Sequence, residues 1–202
     1  MDTIGLFCGG YSSEYDISMK SAKLIQSHFP EEYQLVKIII TQNEWYCEDS
    51  NGKHAFDMNT GMAELSSGKT PLDLAIVCIH GDPGENGKVQ AYLEMHGIPC
   101  INSGFEASSL AFDKFICNQF LKSQNIETAQ SLLLRKKQSF NPQKICFQLG
   151  LPLFVKPTDS GSSYGISKVY EESKLKEAVS FAFNEGNQVI LESFLDGREL
   201  TC

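Results

Sequence analysis

At 202 residues the chain has room for one large domain or two small ones, each with a core of its own. Its 42% hydrophobic and 21% charged residues do not make a disordered composition, and no run reaches the roughly 18 apolar residues a membrane helix needs. A formal net charge of -8 and a pI near 5.0 argue against a nucleic-acid surface, which needs clustered Lys and Arg. In chain order, Thr3 to Cys8 is a short apolar run ending at Gly9-Gly10, and Ala22, Ile25 and Phe29 follow at helical spacing. This reads as strand, glycine turn, helix. Leu35 to Ile40 is the next predicted strand, and Leu72 to Ile79 a buried parallel one, because it is almost continuously apolar. A helix starting near Gly87 places Val89, Tyr92, Leu93 and His96 on one face, before Gly97-Ile98-Pro99 turns the chain. Alternating strands and helices imply an α/β fold with a parallel sheet and right-handed crossovers. The stretch Ser50 to Lys69 is the least legible.

The character changes after residue 105, and we place a domain boundary there, giving units 1–105 and 106–202. Helical stretches around Ala107-Leu110 and Lys114-Lys122 lead to a predicted strand at Ser131-Leu134 and a helix over Pro142-Leu149. Leu153-Val155 and Ile166-Val169 read as strands around the small-residue run from Thr158 to Gly165. The final helix carries Leu175, Ala178, Val179, Ala182 and Phe183 as an apolar stripe, with Glu171 and Glu172 at its positive end, and a strand follows at Gln188-Glu192. The seven cysteines are widely spaced, mostly among apolar neighbours and without a CxxC pair, so they read as reduced core residues. Arg135-Lys136-Lys137 is locally basic, as a solvated loop is. Met1 to Phe7 has an acidic residue and no basic stretch before a long apolar run, which places the chain in the cytoplasm.

Three segments bear chemistry. Lys156-Pro157 ends a predicted strand beside the glycine-serine run, where an ammonium and loop amides suit a triphosphate. The alternative is a solvent-exposed hairpin of small residues. Neither GxxxxGK[ST] nor GxGxxG is present, so neither common nucleotide fingerprint applies. Glu14 falls between the first strand and the first helix, at the crevice edge where ligands of open α/β sheets sit, and a carboxylate there suits a substrate ammonium. Stabilisation by the helix dipole is the plainer explanation. His80 opens the glycine-dense loop His80-Gly81-Asp82-Pro83-Gly84-Glu85-Asn86-Gly87, as an anion contact, a proton carrier or a structural residue.

In order, these segments resemble the D-alanine:D-alanine ligase family. Gly9-Gly10-Tyr11-Ser12-Ser13-Glu14 through Ser18 matches GGxSxExxxS, and His80 to Gln90 matches HGxxGEDGxxQ with Asn86 in place of the aspartate. Gly97-Ile98-Pro99 to Ser103-Gly104, Asp113-Lys114, Leu151 to Val169 (LPxxVKPxxxGSSxGxSKV) and Glu192 to Glu199 (ExxxxGxE) complete the series. The resemblance implies an N-terminal Rossmann-like pre-ATP-grasp domain followed by the first half of an ATP-grasp α+β domain. It implies that Lys114 and Lys156 neutralise ATP phosphates while Gly161, Ser162 and Ser163 close over them. Glu192 and Glu199 would meet adenine-side and ribose groups, and the backbone of Phe194 and Leu195 the adenine edge. Glu14 and Ser162 would be the catalytic pair that places the first D-alanine, with His80 near the substrate carboxylates.

The implied reaction has two steps: a D-alanine carboxylate takes the γ-phosphate, then the amine of a second D-alanine displaces phosphate. Negative charge builds in both, so cations and amides would supply the catalysis. The family further implies a homodimer and a magnesium or manganese ion, whose Asp, Glu and Asn ligands are expected beyond Cys202, so the chain alone is expected not to turn over. Rival readings are a D-alanine:D-lactate or D-alanine:D-serine ligase, a non-catalytic nucleotide-binding module and, least supported, a dinucleotide-dependent reductase.

Overall fold

The first strand, β1 (Thr3–Gly9), is buried along its whole length, as a nearly all-apolar strand covered on both faces must be. The computed structural model describes residues 1–49, 51–161, 164–198 and 200, and divides into two compact units, Met1–Leu110 and Ala111–Cys202. In the first, α1 (Tyr15–Ser27) leads to β2 (Gln34–Ile40), which pairs in parallel with β1. An antiparallel meander follows: β3 (Trp45–Asp49), β4 (Gly52–Asp57), β5 (Met62–Leu65) and β6 (Gly68–Thr70). The chain then crosses to β7 (Leu74–Val77), parallel to β1 on its other side, giving the order β6-β5-β4-β3-β2-β1-β7. α2 (Lys88–Met95) follows β7 and packs Val89 and Leu93 into the core.

The parallel part is therefore three strands, and the expected parallel sheet is extended by four antiparallel ones. The strand expected over Leu72–Ile79 is confined to Leu74–Val77, because past Val77 the chain turns into the glycine loop. Period-two alternation splits the core. Leu6, Cys8 and Ile39 pack with Ala22 of α1, whereas Phe7, Val36, Ile38 and Ile40 join Val89 and Leu93 of α2. Full burial of each large side chain contributes about 1.5–3 kcal/mol.

The second unit takes over within α3 (Phe105–Phe112) and continues with α4 (Lys114–Ser123), β8 (Ser131–Arg135), α5 (Pro142–Leu149), β9 (Leu153–Pro157) and β10 (Ser167–Val169). A 3-10 turn at Glu172–Lys174, α6 (Leu175–Ala182) and β11 (Gln188–Ser193) complete it. The sheet is antiparallel, in the order β10-β9-β11-β8. Its one face carries Leu153, Val155, Val189 and Leu191 against Ile145 and Leu149 of α5 and Leu175, Ala178, Val179 and Ala182 of α6. Alternation sends Phe154 and Lys156 to the other face, with Glu192 of β11 on the diagonal from Lys156. That face holds the chemistry.

Candidate functional site

In the first unit, β1 and β7 are parallel neighbours, so the loops that follow them open on the same sheet edge. Ser18 ties the two strand ends together. Fully buried, its hydroxyl accepts from the Gly9 amide at 2.9 Å and donates to the Cys78 carbonyl at 2.8 Å. Ser12 repeats the device one step further out, donating to the His80 carbonyl at 2.9 Å and accepting from the Glu14 amide at 3.2 Å. Glu14 occupies the N-cap position of α1 without a side-chain capping hydrogen bond. It is 3% exposed, and its carboxylate lies against Gly81: a Cβ there would fall 3.0 Å from Glu14 Oε2 and 2.6 Å from Ser12 Oγ. Gly81 has φ +71°, so backbone conformation and space both require glycine. His80 Nε2 lies 3.3 Å from the Ser21 hydroxyl of α1, a contact that orients the ring. Asn86 donates to Asp82 Oδ1 at 2.6 Å, an oxygen that Lys88 Nζ also reaches at 2.8 Å, so Asn86 serves loop structure.

The second unit gathers charge around a cleft of about 440 Å³ lined by Asn118, Phe154, Lys156, Glu192, Phe194 and Leu195, among others. Glu192 is 8% exposed and engaged at both oxygens, by Asn118 Nδ2 on Oε1 at 2.6 Å and Lys156 Nζ on Oε2 at 2.7 Å. Phe154 and Phe194 stand 6.2 Å apart between ring centroids, with Lys168 Nζ 3.7 Å from the centroid of Phe194. The β11 ladder ends at Ser193, so the backbone of Phe194 and Leu195 lies past the last paired residue. A slot with aromatic walls and an anchored carboxylate can take a flat heteroaromatic base.

Lys114 opens α4 behind the cap of Asp113, whose carboxylate accepts from the amides of Phe115 and Ile116 at 2.9 Å each. Its amide donates to the Thr158 carbonyl and its ammonium to the Ser160 carbonyl at 2.7 Å, fastening α4 to the loop after β9. Burial, and then the positive charge of Lys156, hold the Lys114 ammonium below the usual lysine range. Two lysines that repel one another thus stand beside this loop, Lys156 held by Glu192 and Lys114 by loop carbonyls. The loop is not a fully exposed hairpin: Thr158 is buried, and its amide donates to the Gln188 carbonyl at 3.1 Å. Gly161 is half-buried, while Ser162, Ser163 and Glu199 lie outside the described residues.

Among the residues sequence reasoning missed are Asn118 and Phe154, which line this cleft, and Lys168, which lies against Phe194. Asn118 follows Lys114 by four positions, the spacing that puts two side chains on one helical face. Phe154 precedes Lys156 by two, the spacing of one strand face. Lys168 stands opposite Phe154 in the register of β10 and β9, a pairing no local pattern announces. The cysteines are free in the described residues, and burial pushes the thiols of Cys8 and Cys78 up to about 12 and about 11.

Two family models match the chain: D-ala D-ala ligase N-terminus over residues 3–103 and D-ala D-ala ligase C-terminus over residues 120–202. A D-alanine–D-alanine ligase of Parabacteroides distasonis is 40% identical over 98% of this chain and 61% of its own length. The crystal structure of D-alanyl-alanine synthetase A from Vibrio cholerae superposes with a TM-score of 0.84 at 31% identity, covering 96% of this chain and 60% of that one. A Bacillus anthracis D-alanine–D-alanine ligase complexed with ATP gives 0.76 at 27% identity, covering 98% and 61%. The chain thus spans about three fifths of the length of the relatives it matches.

Proposed function

Because the chain belongs to the D-alanine:D-alanine ligase family, we propose that it supplies the nucleotide and first amino-acid contacts of an ATP-dependent ligase forming D-alanyl-D-alanine for cell-wall precursors. The observation that carries this reading is the second-unit cleft, where Lys156, Glu192 and Asn118 form one hydrogen-bonded group beside Phe154 and Phe194. Adenine lies in the slot, with its edge toward Glu192 and the backbone of Phe194 and Leu195, and its phosphates run toward Lys156, Lys114 and the loop through Gly161, Ser162 and Ser163. Glu199 takes the ribose. In this reading Lys156 exchanges its carboxylate partner for phosphate, and both lysines offset the charge that grows on the transferring phosphoryl group. In the first unit Glu14, held against Gly81 and Ser12, takes the ammonium of the first D-alanine, and His80, oriented by Ser21, faces a carboxylate.

The carboxylate oxygen of the first D-alanine bonds to the γ-phosphorus as the bond to ADP breaks. The amine of the second D-alanine then bonds to the acyl carbon, phosphate leaves, and the amine loses a proton. A magnesium ion would neutralise the triphosphate further. Among the described residues no group of three His, Cys, Asp or Glu side chains is arranged to hold one, so no step is assigned to it. Assembly as a homodimer in the cytoplasm belongs to the same proposal and rests on the family assignment.

Isothermal titration of the chain with ATP, then with D-alanine, tests this reading. Saturable one-to-one ATP binding that Lys156→Met weakens at least tenfold is the expected result, together with D-alanine binding that Glu14→Gln removes. ATP binding that is absent, or indifferent to Lys156, overturns it.

A further inference from the structure

Asn118 stands out because its amide reaches across from α4 to a nearly buried carboxylate on β11, at 2.6 Å. A carboxylate is an acceptor only, so the contact fixes the amide with its NH2 toward Glu192. With Lys156 on the second oxygen at 2.7 Å, the plane of the Glu192 carboxylate is set from two directions. These two donors use two of about four lone-pair directions. The others remain for a group entering the cleft that Glu192 lines.

Two further polar atoms belong to residues near Glu192. Thr128 lines the cleft, and Ser131 stands directly opposite Glu192 in the β8–β11 register. The buried hydroxyl oxygens of both have no hydrogen-bond partner among the described residues. Both atoms are buried, so they make the surroundings of the anchored carboxylate polar without meeting a ligand directly.

Resting on the nucleotide reading above, we propose that Asn118 is a positioning residue that makes the cleft selective for a 6-amino purine over a 6-oxo purine. The exocyclic amine of adenine donates to the free lone pairs of Glu192. Guanine presents a carbonyl oxygen at the same place, and carboxylate and carbonyl repel. The selection depends on the orientation of the carboxylate, and Lys156 cannot hold that orientation alone once a phosphate competes for its ammonium. Asn118 holds it through the exchange. Among the described residues, Lys114 is the other charged group of α4 acting on Glu192, and Arg198 lines the same cleft.

The test is competitive binding of ATP and GTP to wild type, Asn118→Ala and Asn118→Asp, with thermal melts to establish that each variant folds. For Asn118→Ala, ATP affinity should fall about tenfold or more while GTP affinity changes less than about twofold, so the ATP-to-GTP ratio collapses; a hydrogen bond to a charged group is of this size. Asn118→Asp has the same shape but sets a second carboxylate against Glu192, and should lose ATP affinity at least as far. Equal loss of ATP and GTP affinity in both folded variants would make Asn118 merely structural and overturn the inference. ATP binding and selectivity unchanged in Asn118→Ala would do the same while leaving the nucleotide reading intact. Failure of wild type to bind ATP would overturn both.

Discussion

Replacing Lys156 by methionine keeps the unbranched stem and removes the charged end. Glu192 then retains Asn118 as its one donor in the group, with its carboxylate side chain only 10% exposed. A hydrogen bond to a charged group contributes roughly 1.5–3 kcal/mol, and stranding a buried carboxylate costs more than a neutral pair does. Lys156 is 24% exposed, and solvent screening lowers the figure, so we expect a loss of about 1–2 kcal/mol. In a unit the size of Ala111–Cys202 that corresponds to a fall in melting temperature of about 4–15 °C. Glu192→Gln in the Lys156→Met background removes the stranded charge and keeps an acceptor for Asn118. The double variant should therefore recover about 1 kcal/mol, a coupling that a double-mutant cycle isolates. Thermal unfolding followed by circular dichroism at 222 nm provides the readout. A Lys156→Met protein that melts with wild type, or two substitutions whose effects simply add, would refute the reasoning.

The first unit offers a parallel test. Gly81→Ala puts a methyl 2.6 Å from Ser12 Oγ at φ +71°, and should lower stability by about 1–3 kcal/mol and D-alanine affinity with it; a melt identical to wild type would show that the Ser12–Gly81–Glu14 corner is not tight. Ser18→Ala leaves the Cys78 carbonyl and the Gly9 amide without their partner, costing about 1–3 kcal/mol in chemical denaturation. Lys114 is protonated less readily than an ordinary lysine in the free protein, and bound phosphate would restore its proton. ATP affinity should thus be level below the depressed free-state pKa and decline as pH rises through it toward the restored value, a slope that Lys114→Met should abolish. With their thiols raised to about 12 and about 11, Cys8 and Cys78 should resist iodoacetamide at pH 8 in the native protein, as peptide mass spectrometry can read.

Elements whose apolar pattern is strong were legible in the sequence: the continuous run of β1, the stripe of α6, the alternation in β9. The meander β3–β6 was not. Its strands are short and partly solvent-facing, so few apolar positions mark them, and β4 buries Phe56 alone. One signal was nonetheless present in Asn51-Gly52, a hairpin dipeptide, with Gly52 at φ +120°. At the sites, Glu14, His80, Lys114 and Lys156 could be singled out because strand ends, caps and glycine loops are local features. The union of Lys156, Glu192 and Asn118 could not, since it depends on the antiparallel register of β9 and β11 and on α4 reaching a strand 74 positions away. A cross-strand ion pair is a property of the register, and register follows from packing that no local window contains.

In the proposed site Lys114 and Lys156 serve one triphosphate. An ATP derivative bearing an acyl group on its γ-phosphate acylates whichever lysine lies beside the phosphates, and peptide mass spectrometry identifies it. Label on Lys114 or Lys156, suppressed by excess ATP, is the predicted outcome. Label confined to other lysines, or undiminished by ATP, would contradict it.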